Sequence, residues 1–219
     1  MTLCNIISII ICTDNHFFII FAIVMGDKNL YIISGPNGAG KTTASYTVLP
    51  KILHCKEFVN ADEIARGLSP FNPSGMAIEA GKLMLKRIDE LLQKEESFSI
   101  ETTLSTRSYF KLVETAHQKG YDVTLLYFWL KSPEQAIERV AERVSKGGHD
   151  IPNDTIFRRY WAGLKNLFNI YMPIVDTWIL VDNSKTPRSI VATGGKHQNT
   201  IIENIEKYTK IEEYVNQRT

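Results

Sequence analysis

Residues 35–42 read GPNGAGKT, and this stretch decides the fold because it satisfies the pattern GxxxxGK[ST] at every fixed position. It follows a predicted strand over residues 30–34 and precedes a predicted helix, which is the context that gives the pattern its structural meaning. Glycines here allow the loop to wrap so that consecutive backbone N–H groups converge on phosphate oxygens. The sequence therefore predicts a phosphate-binding loop.

Two side chains of this loop are expected to act on a bound nucleoside triphosphate. Lys41 is expected to bridge the β- and γ-phosphates, and the hydroxyl of Thr42 is expected to ligate Mg²⁺. The alternative is a chance glycine turn before a helix. The residues expected to contact the nucleotide are Gly35, Pro36, Asn37, Gly38, Ala39, Gly40, Lys41, Thr42 and Thr43.

Apolar runs alternate with longer stretches of helical period, a pattern typical of a parallel sheet with crossover helices. Five runs are predicted as strands, at residues 30–34, 57–61, 98–102, 123–130 and 178–181. The fourth is apolar almost throughout, so we expect it in the centre of the sheet, covered on both faces. Residues 188–193 are a candidate for a short edge strand, with a turn at Gly194 and Gly195. The fold class is therefore α/β.

Length and composition limit the classes of protein that fit. A chain of 219 residues accommodates one α/β domain, and 44% hydrophobic with 22% charged residues is ordinary for a globular protein. The net charge of +1 argues against a nucleic-acid partner, which would require a basic excess. Cys4, Cys12 and Cys55 have neither disulfide nor metal-site spacing, which favours a reducing, cytoplasmic location.

The first 24 residues are strongly apolar and differ from the rest of the chain. No Lys or Arg precedes Lys28, and the polar stretch at residues 13–16 divides the apolar run, so we expect neither a signal peptide nor a membrane span. Met25 precedes the first strand as a usual start would. We therefore expect residues 1–24 to be an apolar extension upstream of the true start, and residues 25–219 to be the functional domain. The alternatives are a membrane anchor and an extra packed element.

Two acidic residues follow predicted strands at the edge where open α/β sheets bind ligands. Asp62 comes just after the second strand, where a carboxylate can accept the proton of an attacking hydroxyl. Glu101 comes at the end of the third strand, beside the phosphate loop, where it can hold a Mg²⁺-bound water or a substrate hydroxyl. The alternatives are that Asp62 or Glu63 only caps the next helix and that Glu101 is a solvated residue at a strand end.

Other motifs separate the protein classes that share this loop. An LSGGQ-type signature is absent, and SKGG at residues 145–148 is a poor substitute for it. The guanine-reading NKxD motif is also absent, which favours ATP as the nucleotide. Lysines and arginines concentrate around a glycine-interrupted connection after the fourth strand, and this pattern is typical of the lid of a kinase.

Four ordered segments resemble the zeta-toxin-like kinases, specifically the chromosomal branch often described as predicted ATPases. They are GPNGAGKTT (35–43), VNADEIARGLSPFNP (59–73), SIETTLSTRSY (99–109) and ERVSKGGHDIPNDTIFRRY (142–160). The resemblance covers residues 30–195. It implies a P-loop kinase fold with a parallel five-stranded sheet of order 2-3-1-4-5. It also implies a reaction, because zeta toxins use ATP and Mg²⁺ to phosphorylate a sugar hydroxyl of UDP-N-acetylglucosamine.

The resemblance also implies roles for individual residues. Lys41 corresponds to the phosphate-loop lysine of the family, Asp62 to its proposed base and Glu101 to its substrate-side acid. The expected substrate-binding residues are Asp62, Glu101 and Thr103.

The lid arginines correspond less closely to the family pattern. Arg143 is similar to the first lid arginine, whereas His149 stands near the place where zeta toxins keep an arginine. Arg158 and Arg159 follow further on, and the alternative for both is a solvated position on a helix. The expected catalytic residues are Lys41, Asp62, Arg143 and Arg158.

We therefore expect a small-molecule kinase that transfers the γ-phosphate of ATP to a hydroxyl, in UDP-N-acetylglucosamine or a related nucleotide sugar. A different class remains open, namely an ATPase switch or binding module that hydrolyses ATP slowly and acts through a protein partner. An antitoxin protein is a further partner that is compatible with the kinase interpretation.

Overall fold

The structure is a computed structural model that describes residues 6–13, 16–23, 27–51 and 53–217. Near the start of the chain, β1 (Ile6–Thr13) and β2 (His16–Ile23) pair antiparallel as a separate two-stranded sheet. Residues 1–5, 14–15 and 24–26 lie outside the described residues. The expectation that residues 1–24 are not part of the functional domain stays a prediction.

Five parallel strands form the centre of the main sheet. They are β3 (Asn29–Ser34), β4 (Glu57–Val59), β5 (Phe98–Thr102), β6 (Asp122–Trp129) and β7 (Thr177–Asp182). Their spatial order is β4-β5-β3-β6-β7, which confirms the expected order 2-3-1-4-5. β6 is central and buried from its second residue onwards, as its continuous apolar sequence predicts.

The main sheet has seven strands rather than the expected five, because β8 (Ser189–Gly195) and β9 (Gln198–Ile202) add antiparallel to β7. The predicted turn at Gly194 and Gly195 is wrong, since both glycines belong to β8. They are needed for close packing. A Cβ at Gly194 would lie 2.6 Å from the indole ring of Trp178, and a Cβ at Gly195 would overlap the carbonyl oxygen of Asp176.

Helices cover both faces of the sheet. They are α1 (Lys41–Lys51), α2 (Ala61–Leu68), α3 (Ala77–Lys94), α4 (Tyr109–Gln118), α5 (Pro133–Ser145), α6 (Asn153–Asn166) and α7 (Ile205–Asn216). A 3-10 turn over Pro73–Met76 precedes α3, and one π-helical turn over Leu167–Tyr171 continues α6. No helix in the described part of the chain has both the length and the apolar composition needed to cross a membrane.

Helix α6 and its π-helical turn fix the loop that follows β5. The Nδ2 of Asn166 donates to the carbonyl of Leu104 at 2.7 Å, and the hydroxyl of Tyr171 donates to the carbonyl of Thr106 at 3.0 Å. Leu104 is fully buried and has a positive φ of 54°, so this loop has a defined and costly conformation. The loop that follows the carboxyl end of β5, close to Glu101, is thereby held by α6 and its π-helical turn.

Candidate active site

The phosphate loop lies between β3 and α1, at the edge formed by the carboxyl ends of the parallel strands. Its glycines are required by close contacts. Gly35 has φ of 137°, and a Cβ there would overlap the carbonyl of Phe128; Gly38 has φ of 76°, and a Cβ there would lie 2.8 Å from the carbonyl oxygen of Ala136. Packing against β6 and α5 therefore fixes the loop in a shape that other residues adopt only with strain.

Lys41 is the first residue of α1, and only 7% of it is exposed. Its Nζ donates to the carbonyl of Pro36 at 3.0 Å and lies 3.8 Å from Oε1 of Glu101. The ammonium group thus lies against the loop itself, with one carboxylate at the outer limit of an ion pair. A buried cation with so few partners is well suited to bind a polyanion.

Four charged residues that the sequence analysis named as site candidates act on the pKa of Lys41. Burial is the largest cause that lowers the pKa of Lys41 below its ordinary value. Arg143 and Arg159 lower it further, whereas Glu101 and Asp62 act in the opposite direction. All four side chains are therefore close enough to influence the phosphate-loop lysine.

Glu101, at the end of β5, is tied to the phosphate loop through Thr42. The hydroxyl of Thr42 lies 3.0 Å and 2.9 Å from the two carboxylate oxygens of Glu101 and donates to that group. Burial raises the pKa of Glu101 above its ordinary value, although Lys41 and the Thr42 hydroxyl favour the charged form. The side chain is therefore not the solvated strand-end residue that the sequence left open.

Thr42 and Glu101 present oxygen atoms of the kind that Mg²⁺ prefers. A hydroxyl and a carboxylate lie within hydrogen-bond distance of each other beside the phosphate-binding lysine. Mg²⁺ in nucleotide sites is commonly held by one or two protein oxygens, with phosphate oxygens and waters completing the octahedron. The residues present therefore fit the expected metal.

Asp62 lies in the first turn of α2 and lines a cavity of about 360 Å³. The strand before it ends at Val59 rather than at residue 61 as predicted, and the helix cap is Asn60. Asp62 and Glu63 provide backbone N–H groups to that cap, so neither of their side chains is the cap. The carboxylate of Asp62 is therefore available to the cavity.

The lid arginines reach this cavity from two helices. Arg143, near the end of α5, lines the cavity and donates from Nη2 to the carbonyl of His149 at 2.6 Å. Arg159, on α6, also lines the cavity. Arg158 is exposed and does not line it. Arg159, and not the predicted Arg158, therefore lines the same cavity as Asp62.

The sequence named Arg159 as a lid candidate but gave the catalytic role to Arg158, and it did not identify Asn60. Arg159 is four residues after Thr155, so the two share a helix face, but only the structure shows that Thr155 lines the cavity. The signal for Asn60 was its position three residues before Glu63, a pattern that marks a helix start. Thr103, by contrast, does not line the cavity; its hydroxyl pairs with that of Ser105 at 2.9 Å.

The phosphate loop and the parallel sheet around it define a P-loop protein of the kinase type. Residues 24–171 match the sequence profile of the Zeta toxin family, which is more than half of the chain. The chain therefore belongs to the zeta toxin family, as the resemblance of its motifs implied.

Known proteins similar to this chain are consistent with that assignment. An uncharacterized protein of Haemophilus influenzae is 30% identical over 137 residues, which are 63% of this chain and 95% of that protein. The AvrRxo1-ORF1:-ORF2 complex, solved with ATP, matches with a TM-score of 0.68 at 19% identity, over 84% of this chain and 63% of that chain. The PezAT toxin-antitoxin system of Streptococcus pneumoniae matches with 0.61 at 18% identity, over 88% of each chain.

These structural matches establish the fold. This chain spans only 63% of the length of the matched AvrRxo1 chain. Family membership and the P-loop kinase fold together support an ATP-dependent, kinase-like function.

Proposed function

We propose that this chain transfers the γ-phosphate of ATP to a hydroxyl of a small molecule held in the cavity beside Asp62. The observation that carries the proposal is that Asp62, Arg143 and Arg159 line one cavity and all influence the phosphate-loop lysine. A base for the acceptor and two cations for the transferred group then line one cavity. That is the arrangement phosphoryl transfer requires.

Each group has a defined task in the proposed reaction. The backbone of residues 35–43 and Nζ of Lys41 hold the triphosphate. When bound, Mg²⁺ neutralises charge on the phosphate oxygens, and Thr42 and Glu101 are the residues that would hold it.

The transfer step is an in-line displacement. Asp62 accepts the proton of the acceptor hydroxyl as its oxygen bonds to the γ-phosphorus. The bond to the bridging oxygen breaks, and ADP leaves with the electron pair. Arg143 and Arg159 stabilise the charge on the transferring group.

The charges that line the cavity favour an acceptor that carries phosphate groups. Three arginines and two aspartates line it: Arg66, Arg143, Arg159, Asp62 and Asp150. The excess of cations suits an anionic molecule. We therefore propose a nucleotide sugar as the acceptor class, with UDP-N-acetylglucosamine as the first compound to test.

Replacing the proposed base tests this function. Asp62→Asn keeps the size of the side chain and removes the proton acceptor, so ATP affinity should be retained while single-turnover transfer falls by about 10²-fold or more. The control is Glu79→Gln, because Glu79 is exposed on α3, pairs with Lys82 and does not line the cavity. The assay uses γ-labelled ATP with a panel of nucleotide sugars. Unchanged transfer in Asp62→Asn would remove this residue from the reaction.

The same assay separates the kinase from an ATPase switch. A switch would hydrolyse ATP and give no phosphorylated product with any acceptor. A protein partner is compatible with either function. We also propose an antitoxin as a partner, because the structurally similar PezAT is a toxin-antitoxin system.

A further inference from the structure

Asn60 connects two parts of the candidate site through a single side chain. It lies between β4 and α2, and only 5% of it is exposed. Its Oδ1 accepts from the backbone N–H of Asp62 at 2.8 Å and of Glu63 at 3.3 Å. Its Nδ2 donates to Oε2 of Glu101 at 2.9 Å. Both ends of the carboxamide are therefore engaged, and each end serves a different element.

The two elements that Asn60 joins carry the two halves of the proposed reaction. Helix α2 carries Asp62, which faces the acceptor cavity. Glu101 contacts the Thr42 hydroxyl and lies 3.8 Å from the Nζ of Lys41. A shift of α2 relative to β5 would therefore change the distance between the base and the transferring phosphate.

The chemistry of the amide suits this position. A helix cap needs only an acceptor, so serine or aspartate would satisfy the first turn of α2. The bond to Glu101 also needs a donor that reaches a carboxylate on the neighbouring strand, and aspartate has none. A hydrogen bond to a carboxylate in a buried place is stronger than one between neutral groups. Asparagine fulfils both requirements within one planar group.

We propose that Asn60 is a positioning residue that fixes the position of Asp62 relative to Glu101. This inference rests on the proposed function, because it assigns Asp62 to the acceptor and Glu101 to the metal side. Residues that orient a metal-side ligand influence metal affinity without touching the metal. Misplacement of a reacting group by about 1 Å can reduce a rate about 10²-fold.

Asn60→Ser isolates the bond to Glu101, because serine retains a cap acceptor and loses the long donor. The matched control is Asn204→Ser, since Asn204 caps α7 by accepting from Lys207 N at 3.0 Å, away from the cavity. Both variants should remain folded. At saturating Mg²⁺, we expect kcat for transfer to fall about 10-fold or more in Asn60→Ser, with KM for ATP almost unchanged. In Asn204→Ser, kcat should stay unchanged. Asn60→Asp has the shape of the native side chain but no donor, so it should lose transfer as well.

A second readout does not depend on the acceptor. The Mg²⁺ concentration that gives half-maximal ATP binding should rise about 10-fold in Asn60→Ser and stay unchanged in Asn204→Ser. If the wild type transfers phosphate to no compound, the proposed function fails, and this magnesium requirement alone decides the inference. An unchanged magnesium requirement would then overturn it. If the wild type does transfer phosphate, wild-type kcat in both Asn60→Ser and Asn60→Asp would show that Asn60 is only a helix cap.

Discussion

Glu101 and Asp176 are carboxylates at opposite edges of the same sheet, and their surroundings differ. Asp176 precedes β7 at the amino-terminal edge, where Lys196 Nζ lies 2.7 Å from Oδ1. Its Oδ2 accepts from Val123 N at 2.8 Å and lies 2.8 Å from Nε2 of His117. Glu101, at the carboxyl edge, has its nearest lysine at 3.8 Å.

The pKa values of the two groups move in opposite directions. Burial opposes the charged form of Asp176, yet hydrogen bonds from Lys196, Val123 and His117 more than offset it, and its pKa is lowered. Burial prevails at Glu101, and its pKa is raised. The partners of Asp176, namely Lys196, His117 and the backbone of Val123, compensate its charge without a ligand, so we expect this Asp176 cluster to stabilise the fold. At Glu101, Lys41 and the Thr42 hydroxyl offset burial only in part, as is common where a ligand supplies the remaining positive charge.

The largest effect is expected when the lysine beside each carboxylate is removed. Lys41→Met should reduce phosphate transfer by about 10³-fold, because the cation that holds the phosphates is lost. Lys196→Met, the same change at the other edge, should leave transfer within about twofold and lower the melting temperature. Single-turnover transfer and thermal unfolding of both variants test this. Equal loss of transfer in the two variants would contradict the conclusion that Glu101 belongs to the binding site and Asp176 only stabilises the fold.

A smaller effect is expected from the neighbouring arginines of α6. Arg159→Gln should reduce transfer by about 10²-fold, because Arg159 lines the cavity with Asp62. Arg158→Gln removes the same charge one residue away, where the side chain is exposed, and transfer should change by less than about twofold. Steady-state kinetics with saturating ATP distinguish the two. A larger loss in Arg158→Gln would restore the assignment made from the sequence.

The sequence predicted those parts of the fold and site that depend on local interactions. The apolar runs predicted the five parallel strands, and the GPNGAGKT pattern predicted the loop between β3 and α1. The kinase-type fold also followed from the motifs. The motif did not show which face of α6 borders the cavity. Adjacent helical residues point in directions about 100° apart, so the choice between Arg158 and Arg159 depended on that face.

Long-range contacts account for what the sequence did not reveal. Gly194 and Gly195 resemble a turn until β8 is packed against Trp178, a residue of another strand. The cap formed by Asn60 is local, but its second partner, Glu101, is 41 positions away in the chain. Pairings of this kind depend on how the strands assemble, and no local pattern encodes them.

The smallest effect is expected for Asp176→Asn, which should change the free energy of unfolding and not the transfer reaction. Asp176→Asn leaves Lys196 and His117 beside a neutral group, with about 20% of the Asp176 side chain exposed. The free energy of unfolding should fall by about 2 kcal/mol at neutral pH, the scale of a hydrogen-bonded charge that is partly screened. Phosphate transfer, measured below the melting temperature, should not change. Denaturant unfolding provides the measurement, and an unchanged midpoint would show that the cluster contributes nothing.

The pH dependence of that difference follows from the direction of the pKa shift. The pKa of Asp176 is lower in the folded protein than in the unfolded chain, so its stabilisation is complete above the unfolded pKa of about 4. The difference in stability between wild type and Asp176→Asn should therefore disappear as pH falls through the lowered folded pKa.

For Glu101 the change of stability with pH has the opposite sign, because its folded pKa is raised. Wild type should lose stability relative to Glu101→Gln as pH rises from about 4 through that raised value. Unfolding curves of the three proteins between acid and neutral pH should therefore show two differences with opposite slopes; parallel slopes would mean that the two carboxylates have the same role.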